Sequence, residues 1–334
     1  LILGCEKNLK IRGWMEIEGT VLSEKDIEKM VLKNPNQISD CGGEFFLTWN
    51  DCMARDNLGI IPGDCPPGKI LCKGIESGGI NPQPEDLPLE KAIEKAVKLR
   101  SNDGVVAFSG GVDSALIAKI AQRPCVTVGL KGSHDLKHAM EVASALDLED
   151  TNFIEIPKDD VKKALKSVLP LIPVKTPVEA SIASTMFFVT KWAHDNDYGK
   201  VIAGQGADEL FGGYARYLET ENIEETLKKD FESLKRQGQR DQAVAEKNGT
   251  YISCPYLDIR VVRAAKAIPP DNMVCKGIRK YPLRKVASAH MPDEFAFYGK
   301  KAMQYGSGIM KEIQKLARDN GYKNSVQRYI DYLI

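Results

Sequence analysis

The chain has 334 residues, enough for a large core and, by size, one large domain beside a smaller one. Lysine plus arginine and aspartate plus glutamate both number 46, so the net charge is zero and no global field favours nucleic acid. No apolar run reaches the roughly 18 residues that span a bilayer, and no basic segment leads into an apolar one at the start, so a cytoplasmic protein is expected, with its eight cysteines as free thiols or metal ligands and not disulfides.

Residues 1–85 carry five of those cysteines and short alternating segments such as Glu44-Phe45-Phe46-Leu47-Thr48-Trp49 and Lys69-Ile70-Leu71-Cys72, which predict a small β-rich unit. Cys41, Cys52, Cys65 and Cys72 lack the Cys-x₂-Cys pairs of a zinc knuckle; buried thiols are the first reading and a metal site the second. The four histidines, His134, His138, His194 and His290, form no ligand motif. Gly78-Gly79, Pro82, Pro84 and Pro88 mark a linker, and a second unit is expected over 86–334.

That unit opens with a predicted helix, Glu90 to Leu99, and reaches the apolar run Val105-Val106-Ala107-Phe108, which breaks into Ser109-Gly110-Gly111-Val112-Asp113-Ser114 and then a second helical run. Adjacent glycines let backbone approach an anion, and the amides of the following helix carry a positive partial charge, so phosphate is the natural occupant. No Lys-Ser/Thr pair follows as in a P-loop, and no third glycine completes a dinucleotide fingerprint. An ordinary strand-to-helix turn capped by Asp113 and Ser114 is the alternative. Further strands are predicted at Cys125–Leu130, Asn152–Ile156 and Lys200–Ala203, with helices at Asp135–Leu146 and about Val178–Asp195. This alternation implies an α/β fold with a parallel sheet, the chain from Ala207 onward being mostly helical and covering one edge.

The hexapeptide at 109–114 resembles the loop of the N-type ATP pyrophosphatases, which split ATP between its α and β phosphates. With Gly204-Gln205-Gly206-Ala207-Asp208-Glu209-Leu210-Phe211-Gly212-Gly213-Tyr214, it resembles the synthetase domain of asparagine synthetases. Val128-Gly129-Leu130, Pro255-x-Leu257-Asp258, Lys280-x-x-Leu283-Arg284 and Lys300-Lys301 before Tyr305-Gly306-Ser307-Gly308 match in order, so the similarity covers roughly residues 90 to 312. The resemblance implies ATP and Mg²⁺. Asp113 and Asp208 would hold the metal. Ser109, Gly110, Gly111, Asp113 and Ser114 would meet the phosphates, and Phe108, Val128, Gly129, Leu130 and Gly204 the nucleoside. Lys280, Gln205, Glu209 and Tyr251 would form the catalytic set. A capped helix start at Asp208-Glu209 and a solvated basic face around Lys280 are the bland alternatives. Within residues 1–85, Gly42-Gly43-Glu44-Phe45 and Arg55-Asp56-x-x-Gly59-x-x-Pro62 resemble the distal half of a class II glutaminase. Read as a truncated remnant without the family's N-terminal nucleophilic cysteine, this unit is expected not to hydrolyse glutamine.

The implied reaction is adenylation of a small carboxylate, releasing pyrophosphate, followed by displacement of AMP by ammonia or an amine, with a glutaminase partner subunit as a possible nitrogen source. The departures from the family pattern cluster on the acceptor side. Gln205 and Tyr251 stand where the family has glutamates, Ser253 stands in place of an arginine, and Ser181-Ile182-Ala183-Ser184, with Glu179 nearby, replaces an Arg-Ala-Ser segment. They favour a changed substrate over a dead enzyme and keep a lactam-forming cyclase open. An RNA-modifying ATP pyrophosphatase is the other alternative, with Lys235–Arg240 and Lys276–Lys285 as its basic stretches, which the zero net charge disfavours.

Overall fold

A computed structural model describes residues 9–299 and 306–334. Cys5, the Lys300-Lys301 pair and Tyr305 lie outside the described residues. The N-terminal part is an antiparallel sheet of six strands: β1 (Lys10–Ile17), β2 (Thr20–Val21), β3 (Gly42–Trp49), β4 (Cys52–Arg55), β5 (Lys69–Cys72) and β6 (Ile75–Gly79), ordered β2-β1-β3-β4-β5-β6. Helix α1 (Glu24–Lys33) covers it, and Met15, Ile27, Phe45, Leu47 and Ala54 are among the core residues between them. Sequence reading missed α1, although Ser23 and Asp26 form a reciprocal capping box at its start.

The Arg55-Asp56 turn is held by its own side chains. Asp56 accepts backbone N–H bonds from Phe45, Leu58, Ile60 and Ile61 at 2.9–3.2 Å, while the Arg55 guanidinium donates to the carbonyls of Gly59 and Ile61 at 2.6 and 2.7 Å. The cysteine expectation is corrected here. Cys52 and Cys72 face each other across the β4–β5 ladder and form a disulfide, because antiparallel register brings their Cα atoms to 4.1 Å. This pairing removes two of the four proposed ligands. Cys41 and Cys65 are buried free thiols, and burial pushes the Cys41 thiol up to about 12.

Beyond the linker the elements run α2 (Leu89–Lys98), β7 (Val105–Ala107), α3 (Val112–Ala121), β8 (Cys125–Leu130), α4 (His134–Ala145), β9 (Thr151–Ile156), α5 (Lys158–Val168), α6 (Pro177–Asp195), β10 (Lys200–Ile202), α7 (Ala207–Phe211), α8 (Ile223–Lys247), β11 (Tyr251–Ser253) and α9 (Ile259–Lys266). A hairpin of β12 (Val274–Cys275) and β13 (Ile278–Arg279) and helix α10 (Tyr281–Ser288) follow, with shorter helical segments after them. The sheet is parallel throughout, in the order β11-β10-β7-β8-β9. Sequence position therefore reverses direction at the β7–β10 boundary, the switch point at whose carboxyl edge open α/β sheets form their crevice. The chain from Ala207 onward is mostly helical, as expected, with β11 extending the sheet by one strand.

The two sheets are joined by buried charge. Glu44 of β3 accepts Arg100 Nε at 2.9 Å, the Cys254 amide at 2.8 Å, Trp14 Nε1 at 3.1 Å and the Ser253 hydroxyl. Arg100 continues to Asp258 at 2.9 Å, and Asp258 to Arg260, which reaches Glu16 of β1 at 2.9 Å. All five charged side chains are nearly inaccessible to solvent. Removing one partner would leave an uncompensated buried charge, so Arg100→Met is expected to destabilise the chain by roughly 3–5 kcal/mol, seen as a lower denaturant midpoint. A midpoint within error of the parent would show that this network does not hold the sheets together.

Candidate active site

Two loops meet at the switch point. The first leaves β7, whose residues Val105 and Val106 are fully buried, and turns through Phe108–Gly111 into α3. Its backbone is fixed by Ser114, whose hydroxyl accepts the Ser109 amide at 3.1 Å and lies 2.9 Å from the Ser109 hydroxyl. Gly110 is left-handed at φ +71°, and a Cβ there would crowd His138 and Ala139 of α4 at 3.0–3.3 Å, so glycine is required. No side chain caps the start of α3, which leaves its first amides for an anion. Tyr256, fully buried, donates to the Asp113 carbonyl at 2.9 Å and holds the loop from behind.

The second loop leaves β10 through Gly204 and enters α7. It touches the first: a Cβ on Gly204 would lie 3.1 Å from that of Asp113. Across the contact stands Lys280, whose ammonium is 2.8 and 2.9 Å from the two Asp113 carboxylate oxygens and 2.8 Å from Asp208 Oδ1. Burial pulls the Lys280 pKa down, but Asp113 and then Asp208 more than offset this and leave it raised, so the charge persists at neutral pH. Both carboxylates keep solvent-facing surface, with side chains 24% and 41% exposed, and offer the hard oxygens that suit Mg²⁺.

Of the other predicted residues, Val128, Gly129 and Leu130 lie at the carboxyl end of β8 beside the first loop, where the Phe108 amide bonds the Val126 carbonyl at 2.9 Å. Gln205 lies in the second loop and donates to Asp241 of α8 at 3.3 Å. Asp241 is paired with Arg240 at 2.8 Å, and Arg240 with Glu179 of α6 at 2.7 Å. Glu209 is turned into the protein, accepting Gln237 at 2.8 Å and the Tyr214 hydroxyl; burial raises its carboxyl above the ordinary value. Tyr251 is not brought to the clamp. It pairs with Lys200 at the amino end of the sheet, because β11 runs parallel to β10 and only Ser253 reaches the carboxyl edge. Sequence reasoning missed Tyr256, inside the Pro255-x-Leu257-Asp258 motif, and the Arg240–Asp241 pair, which no motif flagged.

The family model for asparagine synthase matches residues 88–250 and 232–332, well over half of the chain. The chain belongs to the asparagine synthase family. A Methanocaldococcus jannaschii protein described as a glutamine-hydrolysing asparagine synthetase is 32% identical over 74% of this chain and 54% of its own length. The root asparagine synthetase of Pisum sativum is 30% identical over 67% and 43%. The chain thus spans about half the length of these curated relatives. A solved NMN synthetase from Francisella tularensis covers 72% of this chain and 97% of its own at 14% identity and a TM-score of 0.29, too loose a match to bear on fold or chemistry.

The asparagine-synthase loop containing Gly213 has no room to spare. A Cβ there would overlap the Asp208 carboxylate and Lys280 Cε. Gly213→Ala is therefore expected to lower kcat/KM by about tenfold or more, ~1.4 kcal/mol in barrier, with far-UV circular dichroism unchanged. Unaltered kinetics would mean that the clamp is not used in turnover.

Proposed function

We propose that this chain is an ATP-dependent, amide-forming ligase that adenylates a small carboxylate and passes the acyl group to ammonia or an amine, releasing AMP and pyrophosphate. The observation that carries the reading is the Lys280 ammonium held between Asp113 and Asp208 where two glycine-containing loops meet. Mg²⁺ would sit on the Asp113 and Asp208 carboxylates and neutralise phosphate charge when bound. The amides at the start of α3 would hold the pyrophosphate end, and Lys280 would face charge developing on phosphate and carbonyl oxygen. In this reading residues 1–85 form a truncated glutaminase-like unit that does not hydrolyse glutamine, and nitrogen would come from free ammonia, a partner subunit or an amine on the substrate.

The substrate carboxylate attacks the α-phosphorus; the α–β phosphoanhydride bond breaks and pyrophosphate leaves. The nitrogen nucleophile then adds to the acyl carbon, AMP departs, and one proton is lost from nitrogen. Gln205 is an amide and cannot take that proton, so water or another group must.

Incubation with ATP, Mg²⁺, ammonia and a panel of amino and organic acids should yield AMP and pyrophosphate; ADP and phosphate instead would refute the proposal. Asp113→Asn should abolish turnover. Lys280→Ala should slow adenylation on the order of 10² or more, with nucleotide binding changed far less.

Gln205→Glu tests the acceptor side. A carboxylate 3.3 Å from Asp241 would share a site with a like charge, raising the pKa of one of them. The variant should retain pyrophosphate release while the amide-forming step acquires a new pH dependence. Identical profiles for parent and variant with every substrate would place Gln205 outside the acceptor site.

A further inference from the structure

A second cluster lies away from the two loops. Glu90 and Glu94 stand one turn apart on α2, and His290 follows the end of α10. His290 Nε2 is 3.9 Å from Glu90 Oε1 and 3.8 Å from Glu94 Oε1, and one ligand atom from each residue falls within 4.8 Å of the others. These separations are too long for hydrogen bonds. They suit atoms grouped around a common centre, since donors about 2.0–2.2 Å from a metal lie roughly 3–4 Å from one another. His290 Nε2 is sealed from solvent and has no hydrogen-bond partner, an arrangement that native interiors avoid unless something else occupies the position. Glu94 divides its oxygens: Oε2 takes Lys91 at 3.0 Å, and Oε1 is left towards the histidine. Glu90, nearly half exposed, opens the cluster to solvent and gives an ion its way in.

We propose that Glu90, Glu94 and His290 bind one divalent cation of the Zn²⁺ type. One imidazole nitrogen with two carboxylate oxygens suits zinc; Mg²⁺ and Ca²⁺ favour all-oxygen sets. The ion would staple α2 to the end of α10. About 12 Å of helix separates that end from Lys280, so the staple fixes the element that carries the lysine without entering the clamp.

The test is Zn²⁺ titration by calorimetry on the full chain, with millimolar Mg²⁺ present to occupy the clamp carboxylates, beside thermal unfolding with and without Zn²⁺. One equivalent should bind and raise the midpoint by about 3 °C or more at saturation. His290→Ala and Glu94→Gln should each weaken binding at least tenfold and remove the shift, while Asp208→Asn leaves both intact. Where His290→Ala fails to fold, His290→Asn gives the same reading with the packing kept. No saturable uptake by the parent chain, uptake that survives both substitutions, or uptake lost only on alkylating the thiols would overturn the site.

Discussion

The Lys280 ammonium draws together three parts of the chain far apart in sequence: the loop after β7, the loop after β10, and the hairpin leading into α10. A cation in so buried a position is tolerated only because two carboxylates meet it, and those carboxylates approach each other only because it stands between them. The local backbone conforms to this. Lys280 adopts a left-handed φ of +54° at the start of α10, and the neighbouring Gly213 gives up a side chain so that Asp208 and the lysine stem can pass. Arg279 bonds the Gly213 carbonyl and fixes the hairpin to the same loop. The switch point of the parallel sheet supplies the crevice, and the lysine supplies the charge that holds its walls in register.

A second constraint acts at the β11 edge of the sheet. Glu44 of the antiparallel sheet takes up the Ser253 hydroxyl and the Cys254 amide at the end of β11, so the N-terminal unit closes the edge of the parallel sheet. Ser253 is fully buried beside Glu44. A guanidinium there would compete with Arg100 for the same carboxylate, whereas the small hydroxyl leaves the Glu44–Arg100–Asp258–Arg260–Glu16 chain intact. The small residue at 253 is thus coupled to how the two sheets meet.

Much of the parallel sheet was legible because its central strands are short apolar runs ending in glycine-rich turns. The predicted strand Cys125–Leu130 and the observed one coincide, and Pro177–Asp195 lies within a residue of its predicted start. β11 was not legible: Tyr251-Ile252-Ser253 has one aliphatic residue, and its strand character comes from pairing with β10. The Cys52–Cys72 bridge was hidden for a related reason, since the register of β4 on β5 decides it and spacing does not. The loop after β7 and the Asp208 loop were marked by local motifs; the Glu179–Arg240 pair and the approach of His290 to Glu90 and Glu94 are products of helix packing over long separations and leave no local trace.

That contrast bears on how such a site can change. The residues around the clamp occupy tight loops whose backbone is fixed by glycines, Ser114 and Tyr256, so substitutions there disturb the clamp directly. Beside the second loop, Glu179 of α6 and Arg240 and Asp241 of α8 form a linear chain ending on Gln205. Two carboxylates and one guanidinium leave a net negative charge that a neutral Gln205 accommodates and a glutamate would increase. The neutral side chain at 205 and the acidic residue at 241 are therefore electrostatically matched. Glu179, Arg240 and Asp241 lie on helices outside the two loops, so the charge facing Gln205 can change while the Lys280 clamp stays fixed.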